Sequence, residues 1–457
     1  VKSKSLSPLK RDGFATSIGA LAATLGSAVG LGNIWKFPFL AGKNGGAVFV
    51  FAYLICVALV GLPVLVAELT IGRRLRRNAV NAYREAVPRQ PWWAWIGGFG
   101  IASAFLIMAF YTDVAGWVFA YVFFSLRAFI LGSGPLAAST FGALSSGTWL
   151  PLLWQVIALG VTVAIVSAGV SRGIERVTRL LMPILLVLLI ICDIRALTLP
   201  QAGKGVEFLF KPDFTKLTGM VILMALGLSF FKLSLGMGTM TTYGSYQPDN
   251  ANLVGSAAKV ALADTLISIL AGLAIFPAVF AFGFEPSAGP SLLFITIPMV
   301  FSKIPLGGLF STLFFLLASI ATIGAMVSLL EVPVAWLSER KKAMRRPSAA
   351  LLAGGLMLVL GIPVTLSLGP LAGVKVFGKG FFDLADFISS NILLPIGGIG
   401  IAVVLGWMWK KKDVTKELAK KGVGEKWYQE AVYLAIKIVA PVAIIVVLLN
   451  GLGIFGA

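Results

Sequence analysis

The sequence contains no histidine and only two cysteines, Cys56 and Cys192, in 457 residues. Both cysteines fall inside apolar runs, so no disulfide framework is implied. Without imidazole, a His/Cys metal site or a Ser-His-Asp triad is excluded. No nucleophile–base pair stands out either, and an enzyme is not expected. Charge is also scarce: Asp, Glu, Lys and Arg together make up 12% of the chain, against about 25% in soluble domains. The mean hydropathy of +0.93 lies outside the soluble class. What is present instead is apolar surface, 58% of the residues, and the fold class it implies is an all-α polytopic membrane protein.

A spanning helix needs about 20 apolar residues. Apolar runs bounded by charge or turn residues fall at about 14–40, 47–71, 93–130, 150–169, 175–198, 219–246, 254–284, 308–338, 348–368, 382–407 and 430–455, which gives eleven transmembrane helices. The 38 basic against 19 acidic residues, a net +19, would suggest nucleic acid in a soluble protein. Here it is a topology signal. With the N-terminus inside, 26 of the 38 cations sort to cytoplasmic segments and 9 to the other side, as the positive-inside rule requires. Lys36, Lys232 and Lys437 are left over. The expected setting is therefore the cell inner (plasma) membrane, N-terminus cytoplasmic and C-terminus extracellular, with the lipid bilayer and no nucleic acid as partner; monomer and homodimer stay open. Trp92, Trp93, Trp95, Trp407, Trp409 and Trp427 fit interfacial belts, and Lys410 to Lys426 reads as a solvated loop rather than a lipid or partner site.

Glycines interrupt the first span at Gly26, Gly30 and Gly32, beside Asn33, and the sixth at Gly236 and Gly238. Two Gly-broken spans at corresponding positions point to a transporter built on a repeat; close helix packing of the small-xxx-small type is the alternative. An odd five-helix unit repeated in sequence must be inverted in the membrane. The chain divides into a cytoplasmic segment 1–13, a first repeat 14–198, an extracellular loop 199–218, a second repeat 219–407, a basic cytoplasmic loop 408–429 and helix 11 in 430–457. Unwound backbone at such breaks offers N–H groups to a carboxylate and carbonyls to a cation or ammonium, which matches a zwitterionic amino acid.

The segments GSAVGLGNIWKFPFLAGKNGG at 26–46, GLPVLVAELTIGR at 61–73, FFKLSLGMGTMTTYGSY at 230–246, DTLISILAGLAIFP at 264–277 and SLLEVPVAWLSER at 328–340 resemble the neurotransmitter:sodium symporter family with the leucine-transporter fold, and its eleven-helix bacterial branch in particular. Gly173 and Pro183 resemble the helix-5 motif that unwinds on inward opening. The resemblance implies a carboxylate cradle at Gly30, Leu31 and Gly32, closed by Tyr111, and an amine site at the carbonyls of Ala28, Phe231 and Ser234. It implies a side-chain pocket of Ser27, Ile107, Phe231, Met237, Ala325 and Leu329, without charge and so suited to a neutral, hydrophobic residue. It further implies an outer gate Lys36–Asp386, an inner gate Arg11–Glu339 and a brace for the broken sixth helix at Glu68.

Departures from the family concern its two sodium sites. The first would use the Ala28 carbonyl, Asn33, Asp264 and a hydroxyl at the position held here by Lys232. The second would use carbonyls of Gly26, Val29 and Ala321 and hydroxyls where Gly324 and Ala325 stand. A midspan lysine costs about 2.5–3.5 kcal/mol on the insertion scale unless paired or solvated, so Lys232 needs a partner, either Asp264 or the substrate carboxylate. Lys232 is expected to replace the first sodium, or, by releasing its proton, to couple transport to protons; a purely structural Lys232–Asp264 pair is the alternative. Ser268 and Tyr53 match part of a chloride site that Leu228 breaks, and chloride dependence is not expected. Asp113 departs from the family without an assigned role. The resulting reading is a secondary transporter of neutral L-amino acids working by alternating access without cofactor, sodium-independent or proton-linked. Its alternatives are a conventional sodium symporter in which Lys232 swings aside, and a non-transporting amino-acid sensor.

Overall fold

The computed structural model describes residues 12–132, 136, 138–248, 251–284, 292–339, 344–418 and 427–454. These residues form an all-helical bundle. We number its main helices α1 (Ser17–Ala28), α2 (Gly32–Lys43), α3 (Ala47–Leu75), α4 (Pro91–Leu131), α5 (Trp149–Ser167), α6 (Val170–Leu197), α7 (Gly219–Lys232), α8 (Thr239–Gly244), α9 (Leu253–Ala281), α10 (Gly307–Ser338), α11 (Arg346–Leu366), α12 (Phe381–Met408) and α13 (Tyr428–Gly451). Among the described residues nine of these are long and apolar enough to cross a membrane, and α1 with α2, bent by 50°, counts as a tenth span. The expected sixth span corresponds to α7 and α8 on either side of a break.

Burial decides where each helix sits. In its most apolar stretch α10 is 83% buried, whereas α13 is only 22% buried, so α10 forms the centre and α13 faces the lipid. Around α10 pack α1, α4, α5, α6 and α11, while α7 and α8 lie against α3. The 37 helical residues Trp95–Leu131 within α4 extend about 56 Å at 1.5 Å per residue. That exceeds the ~30 Å hydrocarbon layer, so α4 projects beyond it.

Both broken spans start on polar caps: Thr16 Oγ1 accepts from Gly19 N at 2.9 Å, and Thr218 Oγ1 from Val221 N at 3.3 Å. After Ala28 the chain turns extended at Val29, φ −82° and ψ 110°. After Lys232 it passes through left-handed conformations at Ser234 (φ 54°), Gly236 (φ 76°) and Gly238 (φ 73°). At Gly236 the requirement is doubled, because a Cβ would also collide with the Leu394 carbonyl of α12. Segments read as plain loops carry short helices, Ala79–Ala86, Ala202–Phe210 and Lys411–Leu418. The last falls within the basic stretch 408–429, of which 419–426 lie outside the described residues.

Candidate functional site

The two breaks face each other across the centre of the bundle and line a cavity. Its walls are Ser27, Ala28, Gly30, Gly32, Ile107, Tyr111, Phe231, Lys232, Ser234, Met237, Ala325 and Leu329. Leu31 contributes its backbone N–H, which donates to Tyr111 Oη at 2.8 Å. Gly30 N–H is taken by Asn33 Oδ1 at 3.0 Å. The cradle residues are thus held in place from two sides. Three buried hydroxyls line up beneath: Ser27 donates to Ser328 (2.9 Å) and lies 3.2 Å from Ser234, whose hydroxyl donates to the Ser27 carbonyl at 2.9 Å. Ser328 joins this row although its sequence position gave no signal beyond an apolar run.

Lys232 ends α7 with its side chain wholly enclosed. Its Nζ lies 3.0 Å from Asp264 Oδ2 and 2.9 Å from Tyr53 Oη, and it also donates to Ser268 Oγ. Three N–H donors meet three acceptors, which satisfies the ammonium completely. The rings of Tyr53 and Phe37 lie 4.5 Å and 5.0 Å from Nζ and add cation–π attraction. Asn33 Nδ2 bonds Asp264 Oδ1 (2.7 Å), the Asp264 carbonyl (3.0 Å) and Ser268 Oγ (3.0 Å). Of the two partners considered for Lys232, the structure supplies Asp264. Leu228 is buried nearby in the same helix.

At the other expected ion position, helices α1 and α10 meet directly. A Cβ on Gly324 would overlap the Gly26 carbonyl oxygen, and Thr178 Cγ2 stands 3.0 Å from where a Cβ of Gly26 would be. Val29, Ala321 and Ala325 are buried here and bring no side-chain oxygen.

Glu68 in α3 accepts from Gly236 N at 2.7 Å with Oε1, and from Thr241 N and Oγ1 at 3.2 Å each with Oε2. It thereby ties together the two ends of the break between α7 and α8. At the side of the cavity expected to face outward, Lys36 Nζ lies 3.0 Å from Asp386 Oδ1 and 4.0 Å from the centroid of Phe231. A second cavity lies at this pair, with Phe110, Val114 and Phe382 in its wall.

On the inner side Arg11 lies outside the described residues, and Glu339 accepts from Asn78 N (3.0 Å) and Asn78 Nδ2 (2.7 Å). Sequence reasoning passed over a buried network about two turns earlier. Glu331 pairs with Arg346 and accepts from Tyr246 Oη at 2.6 Å, while Glu175 caps the start of α1 through Ala15 N (2.6 Å) and Thr16 N (3.2 Å). The available signal was the cost of an unpaired acid in an apolar run, which Glu331 carries within SLLEVPVAWLSER. Among the described residues no group of three metal-ligating acids or thiols occurs.

Comparison with known proteins gives a consistent picture. The model of the sodium:neurotransmitter symporter family matches residues 11–131 and 148–455. The chain is 40% identical over 443 residues to the uncharacterized sodium-dependent transporter YhdH of Bacillus subtilis, covering 96% of this chain and 98% of that one. It is 32% identical over 293 residues to the sodium-dependent neutral amino acid transporter B(0)AT3 of Mus musculus, covering 56% of this chain and 46% of the mouse protein. The crystal structure of MhsT in complex with L-phenylalanine superposes with a TM-score of 0.89 at 42% identity, covering 96% of this chain and 100% of that one.

Proposed function

Because the chain belongs to the sodium:neurotransmitter symporter family, a family of secondary transporters rather than enzymes, we propose that it carries neutral, hydrophobic L-amino acids by alternating access without sodium. The single observation that carries the ion reading is Lys232 Nζ, 3.0 Å from Asp264 and fully enclosed. A cation fixed at this place repels a second one, and its stem fills the space. The packing of Gly324 on the Gly26 carbonyl supports the same reading at the second position, since Gly324 and Ala325 bring no side-chain oxygen to a hard cation that needs several. The residues present do not fit two sodium ions.

The substrate reading rests on the cavity. A zwitterion's carboxylate takes the Leu31 N–H by displacing Tyr111 Oη, which then donates to it. The ammonium takes carbonyls at the two breaks. Ile107, Phe231, Met237 and Leu329 receive an apolar side chain, and the charged residue in the wall, Lys232, has its ammonium paired with Asp264. L-Phenylalanine, the ligand in the MhsT structure, is of this class. The basic asymmetry of the loops supports a plasma-membrane setting with the N-terminus cytoplasmic.

The names of the relatives favour a second reading, a conventional sodium symporter in which Lys232 swings aside. Counterflow of labelled L-phenylalanine in proteoliposomes, with sodium replaced by choline, decides between them. Unchanged exchange is expected. Exchange that disappears in choline would overturn the sodium-independent reading, and binding without counterflow would make the protein a sensor.

A further inference from the structure

Among the described residues the buried carboxyls are Glu68, Asp113, Glu175, Asp193, Asp264 and Glu331. Four have partners: Glu68 has the Gly236 and Thr241 N–H groups, Glu175 the start of α1, Asp264 has Lys232, and Glu331 has Arg346. Asp113 and Asp193 have none. Asp193 lies one turn from the outer end of α6, within reach of headgroup water. Asp113 is different: it stands at the midpoint of the helix Trp95–Leu131 and is 0% exposed. A carboxyl there is too costly to leave ionised and unpaired.

Its surroundings are polar on one side only. The Thr365 hydroxyl of α11 and the Trp117 indole, one turn along α4, are the polar groups that face it. Both groups approach the carboxyl, but in poor geometry: both Asp113 oxygens, Thr365 Oγ1 and Trp117 Nε1 lack a well-aligned partner. Ionised, the carboxylate can accept from both. Neutral, it becomes a donor and Thr365 can accept. Two alternative bond sets from one small cluster are what a reversible proton site requires. Charged groups on the packed helices have other business: Glu331 and Arg346 pair with each other, Asp386 pairs with Lys36, and Asp383, Arg84 and Glu85 are exposed. None of them faces Asp113.

The cluster adjoins the wall of the outer cavity. Phe110 and Val114, on the adjoining stripe of α4, line the outer cavity. The Phe382 ring covers this wall, stacked at 6.5 Å on Trp117 and at 5.6 Å from Phe110. Phe382 is one turn before Asp386 in α12, so a movement of α12 that parts Lys36 from Asp386 also moves the ring stacked on Trp117. On the opposite side of the same turn of α4, Tyr111 holds the Leu31 N–H.

We propose that Asp113 is the site of substrate-linked proton uptake: an oxygen of its carboxylate binds a proton from the outer vestibule when the gate opens, forming the neutral acid that is carried through the occluded state. The proposal rests on the sodium-independent transport reading and supplies its driving ion. Lys232 has all three of its donors engaged by Asp264, Tyr53 and Ser268.

The test uses the full-length chain in sodium-free proteoliposomes with a pH dye inside and L-phenylalanine outside. Addition of substrate is expected to acidify the lumen of wild-type vesicles. Asp113→Asn is expected to keep L-phenylalanine counterflow while losing at least tenfold of the acidification, and Asp193→Asn to keep both. Acidification that survives in Asp113→Asn overturns the proposal, as does equal loss in Asp193→Asn. Wild-type counterflow without acidification overturns the proton site and leaves the transport reading standing. Counterflow that requires sodium overturns both. Should Asp113→Asn fail to fold, Thr365→Val is read instead: the pH of half-maximal uptake is expected to move by about half a unit or more, and an unmoved profile overturns the proposal.

Discussion

Lys232 and Asp264 form a pair whose members cannot be judged separately. Removing one partner of a buried ion pair costs about 3–5 kcal/mol, because the other charge is left without compensation, whereas replacing both with apolar groups is often neutral. Lys232→Met is therefore expected to lower the melting temperature sharply, and so is Asp264→Leu. The double variant should recover most of the loss in a thermal-unfolding experiment in detergent. Losses that simply add would mean that the two side chains do not depend on each other. The need for this pair was legible in the sequence, since a midspan lysine demands a counter-charge and an acid stood in the next span. The isolation of Asp113 was not. Position alone cannot tell that Thr365 and Trp117 face it while Lys36 and Arg346 are engaged elsewhere, because that depends on how α4 and α11 are rotated. Glu331 was missed for a related reason: its cation, Arg346, follows 15 residues later across a connection whose path the sequence does not specify.

Among the elements, the break between α7 and α8 is held by one side chain from α3. Glu68 accepts from the N–H groups of Gly236 and Thr241, and each buried donor left unsatisfied costs about 1–3 kcal/mol. Glu68→Leu is expected to remove most of the substrate-induced thermal shift, while Glu68→Gln, which keeps one amide oxygen, retains more of it. Equal loss in both would assign the role to charge rather than to the hydrogen bonds. The contact between α1 and α10 gives a second prediction. Gly324→Ala forces a methyl against the Gly26 carbonyl and should destabilise by about 1–3 kcal/mol, with no recovery on adding sodium. Recovery in sodium would identify a collapsed ion site instead. Both breaks were legible because glycines cluster there beside polar residues. The ends were less so: the first span, expected at 14–40, begins at Ser17 and ends at Lys43. The short helices Ala79–Ala86 and Lys411–Leu418 escaped because eight residues show too little periodicity. Tyr83, Val414 and Leu418 are nevertheless buried, so packing against the bundle supplies what propensity does not.

In the molecule as a whole, the outer pair Lys36–Asp386 and the inner network of Glu331, Arg346 and Tyr246 are closed together. Access to either side therefore depends on which is cheaper to open. Removing Arg346 leaves Glu331, 0% exposed, with only the Tyr246 hydroxyl, and an uncompensated charge of that kind is relieved by admitting water. Opening inward is the way to admit it. Even about 3 kcal/mol of relief corresponds to a population change on the order of 100-fold, at roughly 1.4 kcal/mol per tenfold. The chain suits a direct measurement, because Cys56 and Cys192 are both free and buried and a single added cysteine dominates labelling. Thr24 is buried, and its hydroxyl lies 3.4 Å from Gln247 Nε2, just past the end of α8, on the inner path beneath the cavity. In a Thr24→Cys background, Arg346→Ala should raise labelling by a membrane-impermeant maleimide at least tenfold in inside-out vesicles. Lys36→Ala, which weakens only the outer side, should not. If Arg346→Ala leaves labelling unchanged, the inner network packs the fold without controlling access, and closure on that side must come from the cap that Glu175 places on α1. In that case Glu175→Gln, which retains one acceptor oxygen but loses the charge attracted to the helix N-terminus, would raise labelling where Arg346→Ala had not.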